Sequence, residues 1–170
     1  MKSLFALTML AAALACAQSP PAQASVTVSG KTLSIHYSAP SVRGRQIFGP
    51  GGLLSQDPTY PAWRAGANSA TAFHTDANLD IGGLNVPKGD YTLYVWVKDP
   101  EAWELIINKQ NGQWGLEYDA KQDVGRVKMT MSKPPATVEV LKYTLSNQAG
   151  KVSLQLAWEK HIATVPITLK

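Results

Sequence analysis

GDYTLYVWV, residues 89 to 97, puts Tyr91, Leu93, Val95 and Val97 on one face of an extended chain and Tyr94 and Trp96 on the other. A period of two identifies a strand, because successive side chains of an extended backbone point to opposite sides. Apolar residues on both faces predict a strand deep in a sheet that is covered on both sides.

Outward from this stretch the same period recurs. Leu33, Ile35 and Tyr37 alternate with Ser34 and His36, and Leu105 and Ile107 follow the central strand. Val127, Met129 and Met131 come next, then Leu141, Tyr143 and Leu145, then Val152, Leu154, Leu156 and Trp158. The last run, HIATVPITL, carries Ala163, Val165 and Ile167 on one face, and its Pro166 predicts an edge or a bulge because proline cannot donate to a ladder. Turn signals separate the runs, among them Gly82-Gly83, Pro87-Lys88-Gly89-Asp90 and Asn111-Gly112, the last a hairpin signal. No stretch after residue 25 holds apolar residues at helical spacing over three turns. The expectation is an all-β chain, a single antiparallel β-sandwich over residues 25–170, with jelly-roll-like and immunoglobulin-like arrangements left open. Tyr91, Leu93, Val95, Leu105, Ile107, Leu154 and Leu156 are its expected core. Residues 39–68, rich in glycine and proline, form a long connection of the kind that is functional or packed as a lid.

MKSLFALTMLAAALAC opens with one lysine and an apolar run too short to span a bilayer, which predicts a signal peptide over residues 1–24. Ala22-Gln23-Ala24 would release a soluble, periplasmic or secreted protein starting at Ser25. Ala13-Leu14-Ala15-Cys16 is a loose lipoprotein box, and only lipidation of Cys16 would bring a membrane into play. Cys16 is the single cysteine, so the exported domain forgoes disulfides and cysteine-based metal or thiol chemistry. Without Lys2, fifteen basic residues face twelve acidic ones, scattered rather than in blocks, which argues against nucleic acid as a partner.

Read together, IHYSAPSVRGRQIFG, WRAGANSAT, VPKGDYTLYVWV, WELIINK and the aliphatic strand after AWEKH resemble, in this order, the bacterial exported family catalogued as domain of unknown function 2911. The resemblance spans roughly residues 33 to 168. Pro40 to Arg45 and Trp63 to Asn68 are its most specific pieces. It implies an exported β-sandwich-like domain and supplies no activity.

Chemistry concentrates near the long connection. Arg43, Arg45 and Arg64, with Trp63 and Asn68, compose a candidate wall for a small anionic or polar ligand, since guanidinium forks bind carboxylate or phosphate bidentately. The competing reading makes Arg64 a brace, its stem against a ring and its head pinning the loop. His36 and His74 alternate away from the apolar face, and neither they nor His161 show metal-ligand spacing, so no metal and no cofactor are expected. No Gly-x-Ser-x-Gly elbow occurs, and Glu117, Asp119 and Asp123 read as a solvated hairpin end. Of the five tryptophans, Trp96 and Trp158 are expected in the core and Trp114 at the surface. The sequence therefore points to an exported binding or structural module, with a small periplasmic hydrolase using the same wall as the alternative.

Overall fold

The structure, a computed structural model, describes residues 18–170; the apolar leader and Cys16 lie outside the described residues. The alternating runs form two antiparallel sheets, packed face to face and not closed into a barrel. In the first sheet β1 (Pro21–Val28) pairs with β2 (Lys31–Ser38), then come β4 (Thr71–Thr75), β7 (Gly89–Trp96), β8 (Glu104–Asn108) and β9 (Asp123–Lys128). The two-residue β3 (Ala62–Trp63) also pairs with β7. In the second sheet the order is β11 (Val138–Gln148), β12 (Lys151–Glu159), β13 (His161–Leu169), β5 (Leu79–Ile81) and β6 (Leu84–Val86), with β10 (Thr130–Ser132) also on β13.

All seven residues expected in the core are buried between the sheets, Tyr91 being the most exposed at 8%. The two-sided apolar pattern of β7 has its own cause. Tyr94, Ala62 and Ile106 form a second small cluster on the outer face, against Ala70, Trp96 and Tyr118. The cover comes from residues 109–122, which connect β8 to β9 and fold back over the sheet. Gln113 reaches Tyr94 Oη (3.1 Å), and Ser69 bridges Trp114. Asn111-Gly112 thus opens a long covering loop in place of the tight hairpin expected there. Burial raises the Tyr94 and Tyr118 hydroxyls, Tyr118 to about 12. Of the acidic group, Glu117 is exposed as expected, while Asp119 and Asp123 are less solvated. Asp123 accepts from Tyr118 Oη (2.7 Å) and Asn108 Nδ2 (2.9 Å), while Asp119 caps a short 3₁₀ turn.

Pro166 lies neither on an edge strand nor at a bulge. β13 is flanked on one side by β12, and on the other by β10 as far as Thr164 and β5 from Ile167. Pro166 falls in the gap between those two partners, and its carbonyl, on the same side as its nitrogen, accepts from Gly82 (3.0 Å). A missing N–H is harmless where no strand waits for it. At the rim of the second sheet, the bulged start of β11 is bridged by the chain leaving β2: Val42 donates to Glu139 (2.8 Å) and Leu141 to Pro40 (2.9 Å). Tyr37 and Tyr143 tie the two sheets together, the Tyr143 N–H donating to Tyr37 Oη (3.1 Å) and Tyr143 Oη to the Ala65 carbonyl (3.0 Å).

The exit expected after Ala24 falls inside β1. Pro21 to Ala24 pair with Ser38 to Ile35, and Ala39 donates to Pro20 (2.8 Å). Ala22 and Ala24 also pack against the core. A chain starting at Ser25 is therefore expected to be less stable than one starting at Gln18 by about 2 kcal/mol, the net worth of a few ladder bonds. Urea unfolding of the two chains checks this, and coincident midpoints would reject it.

Candidate functional site

The five residues of the expected wall are dispersed. Trp63 ends β3 and Arg64 is the residue after it, and their side chains leave on opposite sides of the sheet. Trp63 enters the core at 2% exposure and donates from Nε1 to the Gly66 carbonyl (3.3 Å). Arg64 lies on the outer side, its stem against Gly115 and its Nη1 3.3 Å from Asp57 Oδ2 in the long connection. Arg45 turns back on its own loop, donating to the carbonyls of Ser41 (2.7 Å) and Val42 (3.0 Å). Arg43, at φ +49°, gives its backbone N–H to the Glu139 carboxylate (2.8 Å). Asn68, at φ +60°, accepts from the Gly115 N–H through its carbonyl (3.1 Å).

Arg64 thus spans two loops, the long connection and the covering loop. Arg64→Ala is expected to cost about 1–3 kcal/mol, because the half-buried Asp57 carboxylate and the space beside Gly115 lose their partner. Denaturant unfolding without any ligand reads this directly, and an unchanged midpoint would reject the brace.

What the long connection covers is a nest of rings at one end of the sandwich. Trp158 at the end of β12 pairs across a two-residue turn with His161 at the start of β13, so both side chains share the inner face. β3 brings Trp63 to the same end, and the segment before β8 supplies Trp103. Phe48, from the connection, fills the centre. Its ring centroid lies 4.7 Å from those of Trp103 and His161, 5.7 Å from Trp63 and 5.8 Å from Trp158. Trp63 stacks on Trp158 (5.5 Å, 18°) and Trp103 on His161 (5.1 Å, 20°).

Rings explain the burial, but three nitrogens in the nest are not accounted for by it. Trp103 Nε1, Trp158 Nε1 and His161 Nδ1 are buried without a hydrogen-bond partner. Orphaned buried donors are rare and unfavourable, since each gives up water for nothing. Glu159 stands beside them, its Oε2 3.3 Å from His161 Nδ1 but not aligned for a hydrogen bond. Burial lowers the His161 pKa, and the neighbouring Glu159 and Glu101 carboxylates oppose that shift only in part. Glu159 itself holds φ +53° in the turn, a conformation in which a side chain other than glycine is strained. A cavity of about 190 Å³ bordered by Glu101, Trp103, Glu104 and Lys128 adjoins the nest.

The remaining histidines sit apart. His36 is exposed on β2, opposite Ala72. His74 on β4 lies between Asp90 (2.7 Å) and Asp76 (3.1 Å), and the hydrogen bonds to these two carboxylates raise its pKa. His74 and Asp76 line a shallow cleft of about 650 Å³ at the opposite end of the sandwich, where the two partner each other. Among the described residues no group of three or more His, Cys, Asp or Glu could hold a metal ion. Trp158 is in the core as expected and Trp114 is half exposed, but Trp96 lies on the outer face under Arg126, whose guanidinium is 4.5 Å from its ring.

The model of the family described as protein of unknown function, DUF2911, matches residues 19–167, nearly the whole described chain. The chain belongs to this family. No curated protein and no solved structure matches it. The DUF2911 match covers every strand that builds the nest, from β3 to β13, and also Phe48 in the long connection. Phe48, Trp103, Glu159 and His161 were not among the site residues expected from the sequence of this DUF2911 chain. Trp158-Glu159-Lys160-His161 becomes a facing Trp–His pair through a two-residue turn that no glycine or asparagine announces.

Proposed function

We propose that the chain is an exported binding module whose small polar ligand is held beneath the 39–61 connection, in the nest of Trp103, Trp158, His161 and Glu159. The observation that carries this reading is the pair of buried indole N–H groups of Trp103 and Trp158 without hydrogen-bond partners, gathered in one ring-lined place beside His161 and Glu159. Such groups gain most when a ligand completes their hydrogen bonds. The arginine wall loses its support as a single site, because Arg45 and Arg64 are committed to different loops.

Binding is favoured over hydrolysis by a specific feature. Among the described residues no serine or threonine hydroxyl is hydrogen-bonded to a histidine or a carboxylate, the pairing that activates a nucleophile. Export rests on the apolar leader, with Cys16 lipidation as the route to a membrane surface. Among the described residues no helix is long and apolar enough to cross a membrane.

The test is a thermal-shift screen of small polar compounds against the purified protein and its Trp103→Phe variant. A ligand of the native state raises the melting temperature by mass action. The reading requires a compound that stabilises the parent and loses that effect in Trp103→Phe. A screen in which every stabilising compound acts equally on both proteins would overturn it.

A further inference from the structure

Resting on the reading of the nest as a binding site, we infer that its ligand is an uncharged polyhydroxylated ring of monosaccharide size, which enters by displacing the Phe48 ring. The hydrogen-bonding groups select the class. An indole N–H only donates, so Trp103 and Trp158 call for acceptor oxygens on the ligand. A cation offers none. An anion offers them, but it would meet the Glu159 carboxylate beside His161, and the Glu101 carboxylate whose charge also reaches His161. Of the cations nearby, Lys133 is paired with Glu101 (3.7 Å), and Lys128 shares the cavity border with Glu101 and Glu104. A hydroxyl both accepts and donates, and so serves the indoles and Glu159 together.

Phe48 indicates size and route. Its six-membered ring sits among four others, with centroid separations of 4.7 to 5.8 Å. That is the spacing of closely packed rings, so its departure would leave room for one ring of similar size bounded by aromatic walls. Being apolar, the Phe48 ring leaves the two indole nitrogens unserved. It is carried by a loop, followed by Gly49 and Gly51 at φ +82° and +75°, so its departure breaks no strand ladder. The cavity beside Trp103 gives the ring's successor an approach from solvent.

The experiment follows the indole Nε1–H resonances by NMR in the ¹⁵N-labelled protein. The probes are D-glucose, D-galactose and D-mannose, with D-glucuronate as the anion and D-glucosamine as the cation. Expected are saturable shifts of the Trp103 and Trp158 signals with at least one uncharged sugar. Affinity should weaken about tenfold in Trp103→Phe, which keeps a ring but loses the donor, and tighten about tenfold in Phe48→Ala. Should Phe48→Ala fail to fold, Phe48→Leu and the parent decide. Saturable binding of glucuronate or glucosamine without any uncharged sugar overturns the ligand class and leaves the nest a binding site. No shift with any probe, in the parent and in the Phe48 variant alike, overturns the ligand class, while the thermal-shift comparison of the parent with Trp103→Phe decides the binding reading separately.

Discussion

Trp158→Ala is expected to lose about 3–5 kcal/mol of folding stability, the range for truncating a large aromatic ring in a core. Trp158 is 1% exposed, stacks on Trp63 at 5.5 Å and meets Phe48 edge-on at 5.8 Å. Its removal leaves a cavity whose walls are other large rings, which cannot relax to fill it without leaving their rotamers. Domains of this size are stable by only about 5–15 kcal/mol, so the variant should unfold at a much lower urea concentration or fail to fold at all. Trp114→Ala is the matched control. At 50% exposure its loss should stay within about 0.5 kcal/mol. A Trp158→Ala protein within about 1 kcal/mol of the parent would mean that the nest is not part of the cooperative core.

Gly115→Ala should destabilise by about 3 kcal/mol although it adds one methyl group, the upper part of the range for overpacking. A Cβ at this position would lie 1.9 Å from Arg64 Cδ and 2.6 Å from the Asn68 carbonyl oxygen. The arginine stem can swing aside, but only by giving up Asp57. The carbonyl belongs to backbone that already accepts the Gly115 N–H and has less room to move. The two contacts can be separated. In an Arg64→Ala background the first clash vanishes, so Gly115→Ala should cost less there than in the parent. Equal costs in both backgrounds, measured from urea midpoints, would show that Arg64 does not press on Gly115.

The central strand was legible because its alternation is local. Leu93 and Val95 declare their face within five residues, and the sandwich follows from several such runs. The candidate site was far less legible. β3 is two residues long, too short to show a period, so nothing in the sequence tells that Trp63 faces in while Arg64 faces out. The Glu159-Lys160 turn contains neither glycine nor asparagine, so the hairpin that brings Trp158 to His161 carries no turn signal. The cover over Tyr94 comes from residues fifteen or more positions away, and no window of periodicity reaches that far. Of the export signals, the apolar leader and Cys16 lie outside the described residues, and Ala22 to Ala24 lie in β1.

The bridge between the 39–61 connection and the start of β11 also bears on self-association. β11 is the outer strand of the second sheet, and an unpaired strand edge is a template on which another copy can add. Here Pro40, Ser41 and Val42 occupy that edge along Glu139 to Leu141, beside Val140, which is 45% exposed. On the first sheet, β1 begins at Pro21, which has no N–H to offer a neighbour. A proteolytic cut within the connection would therefore do more than open the ring nest. It would free the β11 edge next to an exposed valine, and the clipped protein would be prone to aggregate while most of its strands were still folded.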